Sequence, residues 1–307
     1  MIYLSAVGMV NALGNSADEI AANLIAGVAP GMRQRAGWLQ GLPEAVLGGV
    51  EGELPPVPES FSAHRSRNNQ LLLAALAQIR PAVDAAIARV GRDRVAVVLG
   101  TSTSGLDEGD EYVRRAQNGE SSPQWQYPQQ ELGDPSRFLA RWLALDGPAY
   151  TISTACSSSA RAIVSGRRLI DAGLVDVAIV GGADSLSRMP VNGFNSLESF
   201  SPTLCEPFGR HRRGITIGEA AALMVLTREP GEVALLGAAG ITEAALSWLI
   251  LTRSLTLPPQ DFSRYAPDDT LPAFGLLHQS APLNKPVILS NSFAFGGNNA
   301  SLLLGRV

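Results

Sequence analysis

Cysteine and histidine are scarce in this chain, with two and three in 307 residues. Two cysteines, Cys156 and Cys205, cannot build a disulfide framework, so the sequence reads as a reduced, cytoplasmic protein. Neither sign of charge dominates. Charged residues make up 17% and the formal net charge is −4, which predicts no nucleic-acid footprint. No apolar run reaches the length expected of a membrane span. The start, Met1-Ile2-Tyr3-Leu4, lacks the basic region of a signal peptide. Short repeats and low-complexity segments are absent as well.

What is present is an α/β pattern. Hydrophobic residues reach 46% and glycines number 31, enough for one large domain or two medium ones. Ile2 to Val10 reads as a strand, and Ser16 with Glu19 has the spacing of a helix capping box. Residues 27–62 carry several prolines and read as a long irregular connection. Gln70 to Val90 reads as an apolar helix kinked at Pro81. Residues 94–100, 175–181 and 220–226 read as buried strands. Residues 105–130 are polar and read as a surface excursion. A helix over 241–253 and strands over 287–290 and 301–304 follow. Helices alternating with continuous apolar strands imply a sheet covered on both faces.

Two segments carry chemistry. The first is Thr154-Ala155-Cys156-Ser157-Ser158-Ser159, placed between a short β-branched run and a helical pattern. A cysteine at such a corner sits where backbone N–H groups and the helix dipole favour a thiolate, the attacking form. Small neighbours let a substrate carbonyl approach. The second is Asn291-Ser292-Phe293-Ala294-Phe295-Gly296-Gly297-Asn298-Asn299-Ala300. Paired glycines there permit a tight turn whose N–H can serve an oxyanion hole, and Asn291, Phe293, Gly296 and Gly297 are candidate pocket residues.

The chain resembles the β-ketoacyl-acyl-carrier-protein synthases, condensing enzymes of the thiolase fold, in their elongating branch. Gly100-Thr101-Ser102-Thr103-Ser104-Gly105, the stretch from Thr154 to Ala222 and the closing motif all fit. The resemblance implies a five-layered α/β/α/β/α thiolase-like fold of two related halves, 1–226 and a shortened 227–307. It implies that Cys156 takes the acyl group as a thioester. The N–H groups of Cys156 and Phe295 would form the oxyanion hole, and the Phe295 side chain would gate the pocket. The implied reaction is decarboxylative Claisen condensation with malonyl-carrier protein. No protein-bound cofactor or metal is implied, because substrates arrive on the phosphopantetheine of acyl carrier protein. The implied assembly is a homodimer, or a heterodimer with another ketosynthase-like subunit, joined across residues 149–153.

The family's two catalytic histidines and its lysine are not in their places. Only His64, His211 and His278 occur, and the motif His-Gly-Thr-Gly-Thr is absent. If Val233-Ala234-Leu235-Leu236-Gly237-Ala238-Ala239-Gly240 is aligned to the second histidine's motif, Ala234 takes the histidine's place. Alternatively, residues 232–237 resemble the strand that opens the C-terminal half and residues 238–241 the start of a later helix. Segments that lie apart in the family meet near Gly237. Either the protein is naturally shortened there or its full chain exceeds 307 residues, and the cost of deleting part of a packed half favours the second. Loss of the histidines points to a partner subunit of the chain-length-factor kind, and retention of Cys156 points away from it. A cysteine acyltransferase is the third reading. His64, Arg65 and Arg67, with Arg210, Arg212 and Arg213, read as a docking patch for an acidic carrier protein or as a solvated cationic face. His211 and His278 read as structural or solvated, and Cys205 as a packing residue.

Overall fold

A computed structural model describes residues 1–121, 125–235, 241–273 and 275–307. The junction near Gly237 lies outside the described residues. In chain order the elements are β1 (Ile2–Val10), α1 (Ala17–Ala26), β2 (Met32–Ala36), β3 (Glu44–Gly48), α2 (Arg67–Val90), β4 (Val95–Gly100), α3 (Leu106–Gln117) and α4 (Asp134–Trp142). There follow β5 (Ala149–Ile152), α5 (Ser158–Asp171), β6 (Val177–Asp184), α6 (Arg188–Ser196), β7 (Ala220–Thr227), β8 (Val233–Leu235), α7 (Ile241–Arg253), β9 (Val287–Phe293) and β10 (Asn299–Arg306).

Eight strands form one sheet in the order β5-β4-β6-β7-β1-β8-β10-β9. The pairs of β4 with β5 and with β6 are parallel, and the other pairs are antiparallel. Strand β4 shows why both faces are covered. Val95, Val97 and Leu99 pack with Leu71, Leu72, Phe138 and Leu139 of α2 and α4. Ala96 and Val98 point the other way, toward Ala160 and Ile163 of α5. Each fully buried Val, Leu, Ile or Phe side chain among these contributes about 1.5–3 kcal/mol.

Helix α5 touches both β6 and β10, which are four strands apart in the sheet. In a flat sheet that separation is about 19 Å, so the sheet curls around α5 and α7. Helix α7 packs along β7, β1, β8, β10 and β9. The layering is therefore α2 and α4, then the first strands, then α5 and α7, then the last three strands. Strand β9 ends the sheet and leaves Leu289 59% and Phe293 72% exposed. Among the described residues no helix covers that outer face.

Several local expectations change. Residues 32–48 are not irregular: β2 and β3 form a hairpin paired from Met32↔Gly48 to Ala36↔Glu44. The polar stretch after Gly105 is the amphipathic helix α3, whose acids come first and whose arginines come last, the order a helix dipole favours. Helix α2 begins at Arg67, one turn before the expected Gln70, with Pro81 inside it. It is also the one helix among the described residues long and apolar enough to cross a membrane. Its Leu71, Leu72, Ala75 and Leu76 are buried, and it packs against β1, β6 and β7, so its apolar side is occupied by the core.

Beside α2 lies a buried polar cluster. His64 Nδ1 lies 2.5 Å from Asp134 Oδ1, and Asp134 Oδ2 accepts from Asn69 Nδ2 at 2.8 Å. The Asp134 side chain is fully buried. Removing one member of such a pair strands the other without a partner, at a cost of about 3–5 kcal/mol. Asp134→Ala is therefore expected to lose that much stability in urea denaturation, and an unchanged midpoint would refute the assignment.

Candidate active site

Five residues carry the chain from β5 into α5. The backbone turns sharply at Ala155, which has φ +52°, a conformation disfavoured for a residue with a Cβ. Hydroxyls hold it. The Thr154 N–H donates to Ser158 Oγ at 2.8 Å, and Ser158 Oγ donates to the Ala155 carbonyl at 2.6 Å. Ser157 Oγ donates to the Thr154 carbonyl at 3.0 Å. These serines thus staple the turn, and Cys156 is left exposed at its tip.

The start of α5 sits almost on the backbone of two strands. A Cβ on Gly100 would fall 2.2 Å from the Ser159 nitrogen, and one on Gly182 would fall 2.2 Å from the Gly100 carbonyl oxygen. Only glycine allows this approach. It places Cys156 over a cavity of about 200 Å³ lined by Ser159, Asp184, Gly218, Thr242 and Glu243, among others.

Asp184 is fully engaged. It accepts from the N–H groups of Ser102 and Thr103 at 2.7 and 2.9 Å and from Thr101 Oγ1 at 2.8 Å. It orders the loop after β4. Glu243 is exposed on the first turn of α7. Sequence reasoning did not single out Asp184, Thr242 or Glu243 as companions of Cys156. An acid in the first turn of a helix is a legible signal, but its meeting with Cys156 is not local.

None of the three histidines lines this cavity. His64 is buried between Asp134 and Arg141, His211 packs on Tyr265, and His278 stacks on Phe262. The only lysine, Lys285, lines a separate cavity with Arg306.

The closing motif spans β9, a turn and the start of β10. Gly296 and Gly297 have φ +84° and +78°, and the turn closes through the Ala294 N–H to the Asn298 carbonyl at 3.1 Å. Phe295 is 56% exposed and meets Phe194 of α6 edge-on, with ring centroids 5.3 Å apart. Neither the Cys156 N–H nor the Phe295 N–H is bonded to another of the described residues. Asn291, Phe293, Phe295, Gly296 and Gly297 are not among the residues that line the cavity at Cys156. Asn291 and Phe293 point elsewhere. They lie on the exposed face of β9, where Asn291 accepts from Ser301 Oγ. The period-two alternation of the strand puts Ser290 and Ser292 inward instead.

Of the proposed docking residues, His64 is buried while Arg65, Arg210, Arg212 and Arg213 are exposed. Arg67 grips the buried Glu219 through two bonds of 2.8 and 2.5 Å. Arg65 and Arg210 are exposed, each paired with an acid, Glu59 and Asp269. Arg67 also lines a cavity of about 540 Å³, with Arg35, Trp38, Glu108, Trp125 and Glu219. Burial raises the Glu108 carboxyl above its usual range, outweighing the Arg67 N–H that it accepts.

Comparison with known proteins follows this geometry. The family model for the beta-ketoacyl synthase N-terminal domain matches residues 2–231. Nodulation protein E of Rhizobium meliloti is 35% identical over 85 residues, 27% of this chain and 21% of that protein. A putative polyketide beta-ketoacyl synthase 1 of Streptomyces cyaneus is 31% identical over 152 residues, 43% of this chain and 35% of that protein. The chain thus spans only a minor share of these curated relatives. A chain from the structure of the ketosynthase ApeO in complex with its chain length factor ApeC, from Xenorhabdus doucetiae, is 52% identical. It covers 100% of this chain and 98% of its own, with TM-score 0.98. A beta-ketoacyl synthase from Burkholderia phymatum shares the fold at 20% identity and TM-score 0.79, covering 100% of this chain and 99% of its own.

Two outcomes follow from the geometry. Gly100→Ala is expected to cost about 3 kcal/mol or more by overpacking and to change the alkylation rate of Cys156 by iodoacetamide, read by peptide mass spectrometry. Glu108 has a raised folded-state pKa, so the stability it contributes is present at low pH and lost as pH rises through that value. Glu108→Gln is therefore expected to raise the urea midpoint at pH 7, with a smaller gain at pH 5. An equal gain at both values would refute the cause given.

Proposed function

The chain belongs to the beta-ketoacyl synthase family, and from that premise we propose that it is the catalytically reduced partner subunit of a heterodimeric ketosynthase. Polyketide or fatty-acid chains carried on acyl carrier protein are its substrate class. One observation carries the reading: carboxylates of Asp184 and Glu243, and no histidine, line the cavity at Cys156.

Condensation has two halves with different electrostatic needs. Acyl transfer needs a thiolate and donors for the oxyanion. Here Cys156 Sγ would attack the thioester carbonyl, the free N–H groups of Cys156 and Phe295 would receive the oxyanion, and phosphopantetheine thiol would leave. Decarboxylation of malonyl thioester builds negative charge on an enolate. Neutral or cationic donors stabilise that charge, and anionic walls oppose it. The second half is therefore assigned to the other subunit. The relationship to the ApeO–ApeC structure, which holds a ketosynthase with its chain length factor, supports this division. The free edge of β5 supports subunit pairing along 149–153. A cytoplasmic setting with two unpaired thiols belongs to the same proposal.

A second reading, a cysteine acyltransferase, is favoured by the exposed thiol at the stapled turn. The test separates these from a complete synthase. The chain alone, given acyl- and malonyl-carrier proteins, is expected to release no carbon dioxide. Paired with a ketosynthase subunit, it is expected to support condensation. Cys156→Ala should remove any acyl adduct yet leave condensation by the pair within a few-fold. Carbon dioxide release by the chain alone, or abolished condensation in the paired variant, would restore the complete-synthase reading. An adduct that passes to water or to a second thiol without a partner subunit would favour the acyltransferase.

A further inference from the structure

A second cavity, of about 410 Å³, lies on the other side of the nucleophile turn. Thr154, Arg161, Ser165, Arg168 and Asn299 line it, with Ile152 at its wall. Its size is that of a small-molecule site. Its lining includes two guanidinium groups, two hydroxyls and an amide, but no carboxylate. The neighbouring Arg167 pairs with Asp171, but Arg161 and Arg168 have no ion pair among the described residues. The Arg161 Nε is buried without an acceptor. A donor in that state loses its hydration without compensation.

Arg161 and Arg168 are seven residues apart on α5, two turns and about 10 Å along the axis. They therefore share one face and can grip an extended anion at two points. Ser165 is oriented by the Tyr150 hydroxyl at 2.5 Å, and Asn299 brings a donor from β10. We propose that this cavity binds a small phosphate- or carboxylate-bearing molecule, held by Arg161 and Arg168 through charge-assisted hydrogen bonds. The site is separate from the Cys156 cavity and does not depend on its chemistry.

Equilibrium titration calorimetry on the full chain tests this, with inorganic pyrophosphate and 4′-phosphopantetheine as probes at constant ionic strength. Saturable one-to-one binding is expected. Arg161→Gln and Arg168→Gln should each weaken it at least tenfold, and Arg167→Gln should leave it unchanged. Arg168 is exposed, so its variant keeps the test open if Arg161→Gln fails to fold. Tighter binding of 4′-phosphopantetheine supports the site as a seat for the carrier arm. Equal binding of the two supports it as a seat for a free anion. No saturable binding, equal loss in the Arg167 variant, or loss of subunit pairing with anion binding intact would overturn the proposal.

Discussion

The close seating of the start of α5 on β4 and β6 is the constraint on which the candidate site depends. Gly100 and Gly182 remove the two Cβ atoms that would hold the helix off the sheet. The hydroxyls of Ser157 and Ser158 then compensate the strained backbone at Ala155. Cys156 projects because the turn beneath it is locked. The same packing commits α5 to both sides of the molecule, since its inner face reaches the first strands and its other side reaches β10. The curl of the sheet, the exposed thiol and the arginine-lined cavity all follow from one helix held between two parts of one sheet.

Two polar contacts between distant segments set the second level of organisation. Arg67 with Glu219 and His64 with Asp134 tie α2 and the turn before it to segments far along the chain. A buried charge without its partner is expensive, whereas a satisfied pair fixes geometry. The first fixes the partly exposed Arg67 on a buried carboxylate, and the second keeps His64 off the surface that a local reading assigns to it. Arg67 and Glu219 also line the cavity of about 540 Å³, where burial works against the Glu108 charge.

The two edges of the sheet give the molecule an uneven surface. β5 and β9 both end the sheet, but their exposure differs. β5 is half-buried along its length, whereas β9 shows Leu289 and Phe293 to solvent. An apolar strand at a sheet edge invites further pairing. Within a family whose fold this chain shares, that exposure is where the described part of the second half stops supplying layers.

Much of this was legible in the sequence, for local reasons. β1 and α7 fall on the residues that apolar patterning indicates, because a strand buried on both faces and a helix of period 3.6 leave plain signatures. The Ser16 cap is seen as its spacing implies, accepting from the Glu19 N–H at 3.2 Å. The hairpin at residues 32–48 and helix α3 were not legible, since prolines and polar side chains mask weak local preferences that tertiary packing overrides. By itself the sequence determined the family, the cysteine at a strand-to-helix turn and the absence of the usual histidine motif. Only the tertiary structure decided which charges are free and which groups stand beside Cys156. The reason is distance along the chain: Glu219 meets Arg67 across 152 positions. Glu243 lines the Cys156 cavity from another helix altogether. No local pattern encodes such encounters.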